Sequence, residues 1–119
     1  MARILIVEDE GILALNTEMQ LTSMGHTVVG VADNAAEAID LASQHRPEII
    51  LMDIVLKGRM DGIKATEVIC GKYPGKIIYM TANNDLGTLE KARAVGYSGF
   101  LLKPFEKFQL QEVIQQALS

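Results

Sequence analysis

Short apolar runs rich in Ile, Val and Leu recur along this chain, and segments with helical periodicity separate them. The runs are Arg3–Val7, Thr27–Val31, Glu48–Met52, Lys76–Met80 and Gly99–Leu102. They show little of the apolar–polar alternation that is typical of a strand with one face in water. Each run is therefore predicted to be a β-strand buried on both faces. Such strands need helices on both sides of the sheet.

Apolar residues at helical spacing predict a helix after each run. They are Ile12, Leu15 and Met19 in the first helix, Ala35, Ala38, Ile39 and Ala42 in the second, Ala65, Val68 and Ile69 in the third, and Leu110, Val113, Ile114 and Ala117 in the last. A further helix is predicted over residues 86–95, where Gly87 weakens the first turn.

Cap and turn residues agree with these helices. Asn34 and Glu37 have the spacing of a capping box, and Gly25 and Gly96 stand where helices should end. Pro47 closes the second helix near residue 45.

Alternating strands and helices with right-handed crossovers predict an α/β protein with one parallel sheet. Five strands favour the doubly wound order 2-1-3-4-5, with helices on both faces and the switch point between strands 1 and 3. At 119 residues the chain is expected to form one domain over 1–119.

Composition argues against several classes of protein. The net charge of −4 disfavours direct contact with nucleic acid, which normally requires a basic patch. No apolar run approaches the roughly 18 residues that would span a membrane. Cys70 is the only cysteine, so an internal disulfide is excluded and a reducing, cytoplasmic location is expected.

Polar residues stand at the ends of four of the five strands. Glu8 and Asp9 follow the first run, Asp53 the third, Thr81 the fourth and Lys103 the fifth. Ligand sites of open parallel sheets lie beyond the carboxyl ends of the strands. These side chains are therefore expected to converge on one crevice.

The expected crevice combines three carboxylates, an ammonium and a hydroxyl. Crowded carboxylates repel one another unless a cation lies among them. Oxygen ligands in small number suit Mg²⁺, which keeps several waters and often shares a phosphate oxygen. Lys103 suits an anionic oxygen, and Thr81 can donate a hydrogen bond to it. This set predicts covalent phosphoryl transfer to an aspartate.

The chain resembles the receiver domain of bacterial two-component response regulators from Arg3 to Leu118. The stretches that carry the resemblance are ILIVEDE (Ile4–Glu10), IILMDIVL (Ile49–Leu56), MDGI (Met60–Ile63), YMTAN (Tyr79–Asn83) and GFLLKPF (Gly99–Phe105). All five, in this order and at these spacings, are specific to the family, and they imply a flavodoxin-like fold.

The resemblance implies a role for each site residue. Asp53 should be the phosphoacceptor. Asp9 should hold Mg²⁺ directly and Glu8 through water, with the Val55 backbone carbonyl as a further ligand. Glu8 is a departure, because the family more often has Asp there.

Other implied roles concern the phosphoryl group and the switch. Thr81 and Lys103 should contact the phosphoryl group, and the Lys103–Pro104 bond is usually cis in this family. Phe100 occupies the position of an aromatic switch that turns inward when the threonine moves, although an aromatic in a strand is usually core packing.

The loop after Asp53 also departs from the family pattern. Residues 54–62 lack the usual Met-Pro and are one residue longer than the commonest form. The family tunes the phosphoryl lifetime through the residues that here are Val55 and Asn83. Apolar Val55 cannot position an attacking water, so slow autodephosphorylation is expected.

The implied function is a phosphorylation-controlled switch and not an enzyme with a separate substrate. The phosphoryl group would come from a histidine kinase or phosphotransfer domain. Phosphorylation would bias the face formed by the fourth predicted helix, the fifth strand and the fifth predicted helix. That face would bind a downstream protein, a fused effector domain or a second copy as a homodimer.

Two other functions are weaker alternatives. A Mg²⁺-dependent phosphohydrolase with an aspartate nucleophile needs an acid/base carboxylate two residues after the nucleophile, where this chain has Val55, and a substrate-binding cap. A flavodoxin-like cofactor carrier needs a phosphate-binding loop after the first strand, where Glu8, Asp9 and Glu10 would repel phosphate. Asp61-Gly62 is interpreted as turn chemistry.

Overall fold

The computed structural model describes residues 1–56, 61–82, 90–94 and 96–119. The strands are β1 (Arg3–Val7), β2 (Thr27–Ala32), β3 (Ile49–Asp53), β4 (Lys76–Thr81) and β5 (Gly99–Leu102). The helices are α1 (Gly11–Ser23), α2 (Ala35–His45), α3 (Gly62–Cys70) and the C-terminal helix α4 (Lys107–Leu118). Of the helix predicted over 86–95, residues 90–92 are helical and 93–94 form a turn, whereas 86–89 and 95 lie outside the described residues.

The five strands form one parallel sheet in the order β2-β1-β3-β4-β5. The predicted order is therefore confirmed, with β1 and β3 adjacent at the centre. The order in which successive strands are added to the sheet reverses at these two strands, because β2 lies on the far side of β1 whereas β4 and β5 lie on the far side of β3. The carboxyl ends of β1 and β3 consequently flank an open crevice.

Two hydrophobic layers cover the sheet, one on each face. Alternate strand residues such as Leu5 and Ile50 pack with the alanines of α2 and with α3. The intervening residues, such as Ile4 and Leu51, pack with α1 and α4. Because both faces are buried, every residue of β3 is apolar until Asp53.

Three strands, β2, β3 and β4, end one residue later than the sequence pattern predicts, and for β3 and β4 that residue is polar. Asp53 pairs with Met80 and is the last residue of β3, and Thr81 pairs with Leu102 and is the last residue of β4. Backbone pairing does not require an apolar side chain, so the strands continue into the polar residues of the crevice. Both side chains are therefore held by the sheet and not by a loop.

Helix α1 is confirmed, but the apolar residues that predicted it face outward. Ile12, Leu15 and Met19 are 88%, 58% and 63% exposed. The buried side of α1 carries Ala14, Thr17 and Leu21, and the Thr17 hydroxyl donates to the Leu13 carbonyl at 2.9 Å. Apolar residues on both sides of a helix leave its inward face ambiguous in the sequence.

The exposed apolar stripe does not make α1 a membrane segment. No helix in the described part of the chain is both long enough and apolar enough to cross a bilayer.

The predicted cap and turn residues occupy the expected places. Asn34 caps α2 by accepting from the Glu37 backbone N–H at 2.9 Å, and the Glu37 side chain accepts in return from the Asp33 N–H at 3.1 Å. Gly25 and Gly96 have φ values of 94° and 95°, which favour glycine. Helix α2 ends at His45, just before Pro47.

Substitution of a buried and of an exposed isoleucine tests which apolar residues contribute to the core. Ile50→Ala should lower the free energy of unfolding by about 2–5 kcal/mol, because Ile50 is fully buried at the sheet centre. Ile12→Ala should change it by less than about 0.5 kcal/mol, because Ile12 is exposed. Urea unfolding followed by circular dichroism measures both values. Equal losses in the two variants would contradict this placement of α1.

Candidate functional site

The carboxyl ends of four strands bring the predicted polar residues to one end of the sheet, around a cleft. Glu8 and Asp9 follow β1, Asp53 ends β3, Thr81 ends β4 and Lys103 follows β5. The cleft has a volume of about 550 Å³. Its lining includes Asp9, Glu10, Leu13, Asp53, Val55, Ala82, Lys103 and Pro104.

One ammonium bridges two buried carboxylates in this cleft. The Lys103 Nζ lies 3.1 Å from Oε1 of Glu8 and 3.2 Å from Oδ2 of Asp53. The exposed fractions of these three side chains are 16%, 1% and 6%. Burial alone would favour the neutral amine, but the Asp53 and Glu8 charges outweigh it and raise the pKa of Lys103. Lys103 is thus a firmly protonated counterion of the cleft.

The Asp53 carboxylate is fixed at both oxygens. Its Oδ1 accepts from the Val55 backbone N–H at 3.1 Å, and its Oδ2 faces Lys103. Hydrogen bonds of this kind stabilise a carboxylate and define its orientation.

Gly62 lets α3 approach the Asp53 backbone closely. A Cβ atom at position 62 would lie 2.2 Å from the Asp53 carbonyl oxygen. Asp61 caps the helix by accepting from the Lys64 N–H at 2.9 Å, in line with its interpretation as turn chemistry. The sequence analysis did not predict that Gly62 packs against the Asp53 backbone. The only sequence signal at this position was the Asp61-Gly62 turn pattern at the start of α3.

Glu8 is buried with one oxygen unsatisfied. Its backbone N–H donates to the Ala32 carbonyl at 2.9 Å, and its Oε1 accepts from Lys103. Its Oε2 has no hydrogen-bond partner within the described residues. Burial, together with the neighbouring Asp53 carboxylate, raises the pKa of Glu8 to about 8, against the opposing effect of Lys103.

The carboxylates are arranged to hold a cation. Glu8, Asp9 and Asp53 each offer an oxygen, and the three oxygens lie within 4.8 Å of one another. Hard oxygen donors in this number fit Mg²⁺ completed by water, and a cation would also satisfy the buried Oε2 of Glu8. Val55 lines the same cleft, and its carbonyl stays a predicted ligand.

Neither of the two predicted switch residues lines the cleft. Thr81 is buried, and its hydroxyl donates to the Ala82 carbonyl at 3.2 Å. Phe100 is 44% exposed, so it is not a core residue, and its ring meets Tyr97 edge-on at a centroid distance of 6.5 Å. Their roles in switching stay predictions.

Two further predictions concern the surroundings of the cleft. The Lys103–Pro104 peptide bond is cis, as the resemblance implied. Asn83 and residues 57–60 of the loop after Asp53 lie outside the described residues.

Comparisons with known proteins assign this architecture to a family. Residues 4–115 match the response regulator receiver domain. The chain belongs to this family. The receiver domain is 35% identical over 117 residues to transcriptional regulatory protein PdtaR of Mycobacterium tuberculosis, covering 98% of this chain and 57% of that protein. It is 31% identical to chemotaxis protein CheY of Bacillus subtilis over 118 residues, 98% of either chain.

A solved structure agrees over the whole fold. The signal receiver domain of a modulated diguanylate cyclase from Desulfovibrio desulfuricans G20 superposes with a TM-score of 0.92 at 36% identity, covering 99% of this chain and 94% of that one. The predicted family and fold class are confirmed, and none of these matches favours a phosphohydrolase. The chain spans just over half the length of PdtaR, but almost all of CheY.

The raised pKa of Glu8 predicts a pH dependence of stability without metal. Because the folded-state pKa, about 8, exceeds the ordinary value of 4.5, this group favours the folded state most below pH 4.5. That contribution is lost as the pH rises through about 8. Urea unfolding in EDTA at successive pH values should show the decline, and Glu8→Gln should flatten it. A Glu8→Gln curve parallel to that of the wild type would contradict the assignment.

Proposed function

We propose that Asp53 is the phosphoacceptor of a phosphorylation-controlled switch. The observation that carries the proposal is the pairing of a buried aspartate with a lysine ammonium 3.2 Å away. Both residues line an acidic cleft. Glu8, Asp9, Asp53 and the Val55 carbonyl would hold Mg²⁺. The donor would be a phosphohistidine of a histidine kinase or phosphotransfer domain.

The chemistry requires only positioning and charge. A carboxylate oxygen of Asp53 attacks the phosphorus, and the bond from phosphorus to the histidine nitrogen breaks with its electron pair on the imidazole. Lys103 binds a phosphoryl oxygen, and the bound Mg²⁺ supplies further neutralisation of the phosphoryl charge. The Val55 N–H keeps Asp53 oriented for this attack.

The activity of the domain would be limited to its own aspartate. Phosphorylation of Asp53 and slow hydrolysis of the aspartyl phosphate would complete its chemistry, without a separate substrate. The Val55 side chain is half exposed beside the cleft and has no group that could orient a water. This supports a long-lived phosphoryl group.

The signal would leave through the face that was predicted from the sequence, which combines the helix expected over 86–95 with β5 and α4. The Thr81 hydroxyl would turn from the Ala82 carbonyl to the phosphoryl group, and Phe100 would move into the space that this opens. The changed face would bind a downstream protein, a fused effector domain or a second copy of the chain. Residues 1–119 would form one receiver domain of a cytoplasmic protein, and this domain would make no direct contact with nucleic acid or membrane.

The acceptor can be tested by intact-mass spectrometry. Incubation with Mg²⁺ and acetyl phosphate should add one phosphoryl group to the wild type. The same incubation should leave Asp53→Asn unmodified, because an amide cannot form the acyl phosphate. EDTA should abolish the adduct. An adduct on Asp53→Asn would show that another residue is the acceptor.

The exposed stripe of α1 offers the donor a docking surface. Ile12, Leu15 and Met19 are exposed on α1, and Leu13 of the same helix lines the acceptor cleft. A phosphohistidine must enter this cleft, so the protein that bears it must cover its rim. Exposed apolar side chains beside the rim are suited to burial against a partner.

The substitution Leu15→Asp can distinguish docking of the phosphohistidine protein from the phosphorylation reaction at Asp53. The rate of transfer from the fastest donor in a panel of autophosphorylated histidine kinases should fall more than about tenfold, because a buried contact is lost. Labelling by acetyl phosphate should persist, because Leu15 does not touch Asp53.

Leu118→Asp is the matched control, since Leu118 is an exposed leucine at the end of α4. It should leave both rates unchanged. Equal loss of kinase transfer in the two variants would contradict the docking surface.

A further inference from the structure

We infer that Tyr97 is a positioning residue for Phe100: its ring, packed edge-on against Tyr79, holds Phe100 in an exposed, outward position until Asp53 is phosphorylated. The inference rests on the proposed function and deepens it, because it adds a residue that opposes the change of the β5 face. Its basis is a chain of three aromatic rings that runs from the core to the surface.

The register of the sheet places Phe100 where its ring could be buried. Phe100 lies opposite Tyr79 in the parallel pairing of β4 and β5. Successive side chains of a strand point to opposite faces of the sheet. Tyr79 is fully buried in the layer with α2 and α3, whereas Leu101 belongs to the layer on the other face. Phe100 is nevertheless 44% exposed and lines an open groove of about 260 Å³ beside α4.

Tyr97 fills the space next to Tyr79 in this layer. The two tyrosine rings meet edge-on, with their centroids 5.6 Å apart and an angle of 84° between their planes. The Tyr97 side chain is half-buried and packs against the α2–α3 layer. Its ring also meets Phe100 edge-on, at a centroid distance of 6.5 Å and an angle of 79°. Tyr97 therefore occupies buried space near Phe100 and gives the exposed ring a favourable contact.

Hydrogen bonds on both sides fix the backbone of Tyr97. The Gly96 N–H donates to the Ala92 carbonyl at 3.0 Å, and the Ser98 N–H donates to the Ile77 carbonyl at 2.7 Å. The first bond ties this segment to the preceding helical residues, and the second ties it to β4. The Tyr97 ring is therefore anchored outside β5.

Tyr97 and the proposed phosphoryl group act on Phe100 in opposite directions. For Phe100 to turn inward, its contact with Tyr97 has to break. The proposed movement of the Thr81 hydroxyl toward a phosphoryl group would favour the turn, whereas the loss of the aromatic contact opposes it. Tyr97 thus sets how strongly the unphosphorylated protein favours the outward position.

Two substitutions test the ring of Tyr97. Tyr97→Ala removes the ring, so it removes both the edge contact and the occupied volume. Tyr97→Phe keeps the ring and removes only the hydroxyl, which the edge contact does not require. Tyr97→Phe is therefore the matched control.

The first measurement is the χ1 rotamer distribution of Phe100 in the unphosphorylated protein, obtained from NMR three-bond couplings to its ring carbon. The wild type and Tyr97→Phe should give the same distribution. In Tyr97→Ala the ratio of outward to inward rotamers should fall at least about tenfold, because the edge contact is lost and the inward ring gains burial. Unchanged Phe100 rotamers in Tyr97→Ala would overturn the inference.

Phe105 is the internal control for folding. It packs against the hydrophobic layer on the other face of the sheet. Its couplings should be the same in the wild type and in both variants. A change at Phe100 that Tyr97→Phe also produced would contradict a role of the ring.

The second measurement is the affinity for beryllium trifluoride with Mg²⁺, a stable analogue of the phosphoryl group, by fluorine NMR. Tyr97→Ala should bind it about two- to tenfold more tightly than the wild type, because more molecules already have Phe100 inward. Tyr97→Phe should match the wild type. Equal affinities in all three proteins would overturn the link between Tyr97 and phosphorylation. The rotamer measurement uses unphosphorylated protein, so a failure of Asp53 as acceptor would be recognised separately by the acetyl phosphate experiment.

Discussion

The structure of this receiver domain depends at its functional end on one ammonium held between two buried carboxylates. Glu8 and Asp53 are almost completely withdrawn from water, and Lys103 lies 3.1 and 3.2 Å from them. Removing the ammonium would leave the carboxyl groups of Glu8 and Asp53 buried without their counterion, which is strongly destabilising. The three residues come from three different strand ends, so this ion triad also fixes how β1, β3 and the segment after β5 meet.

The cleft that contains this triad has more carboxylates than ammonium groups, so it favours the binding of additional positive charge. Three carboxylates face one ammonium, and one oxygen of Glu8 lacks a partner among the described residues. In the metal-free protein, a proton on Glu8 reduces the excess negative charge of the cleft. A bound divalent cation would reduce it in the same way. The arrangement is therefore not optimal for stability alone. An unsatisfied buried oxygen is the expected cost of the proposed site, which would accept a cation and then an anionic phosphoryl group.

Sequence reasoning predicted which residues meet but not how their atoms are directed. Parallel strands end at one edge of a sheet, so the position of Asp53 at the end of a buried run was enough to bring it near Lys103, 50 residues away. The inward face of α1 was not predictable, because apolar residues such as Ile12 and Leu21 occur on both sides of that helix. Gly62 was missed for a different reason. Its close approach to the Asp53 carbonyl depends on how α3 enters the fold, and local patterns carry no such information.

The energetics of the proposed switch follow from what Thr81 and Phe100 now contact. The Thr81 hydroxyl gives up one bond to a neighbouring carbonyl, worth about 1 kcal/mol net. A bond to a phosphoryl oxygen is charge-assisted and about twice as strong. Phe100 is 44% exposed and gains apolar burial when it turns inward. The two gains together would amount to a few kcal/mol, less than the about 5.5 kcal/mol that moves a two-state equilibrium from 1:99 to 99:1 but enough to change its populations substantially. In the proposed switch, phosphorylation would thus change the β5 face through Thr81 and Phe100 and would not require a change in the core.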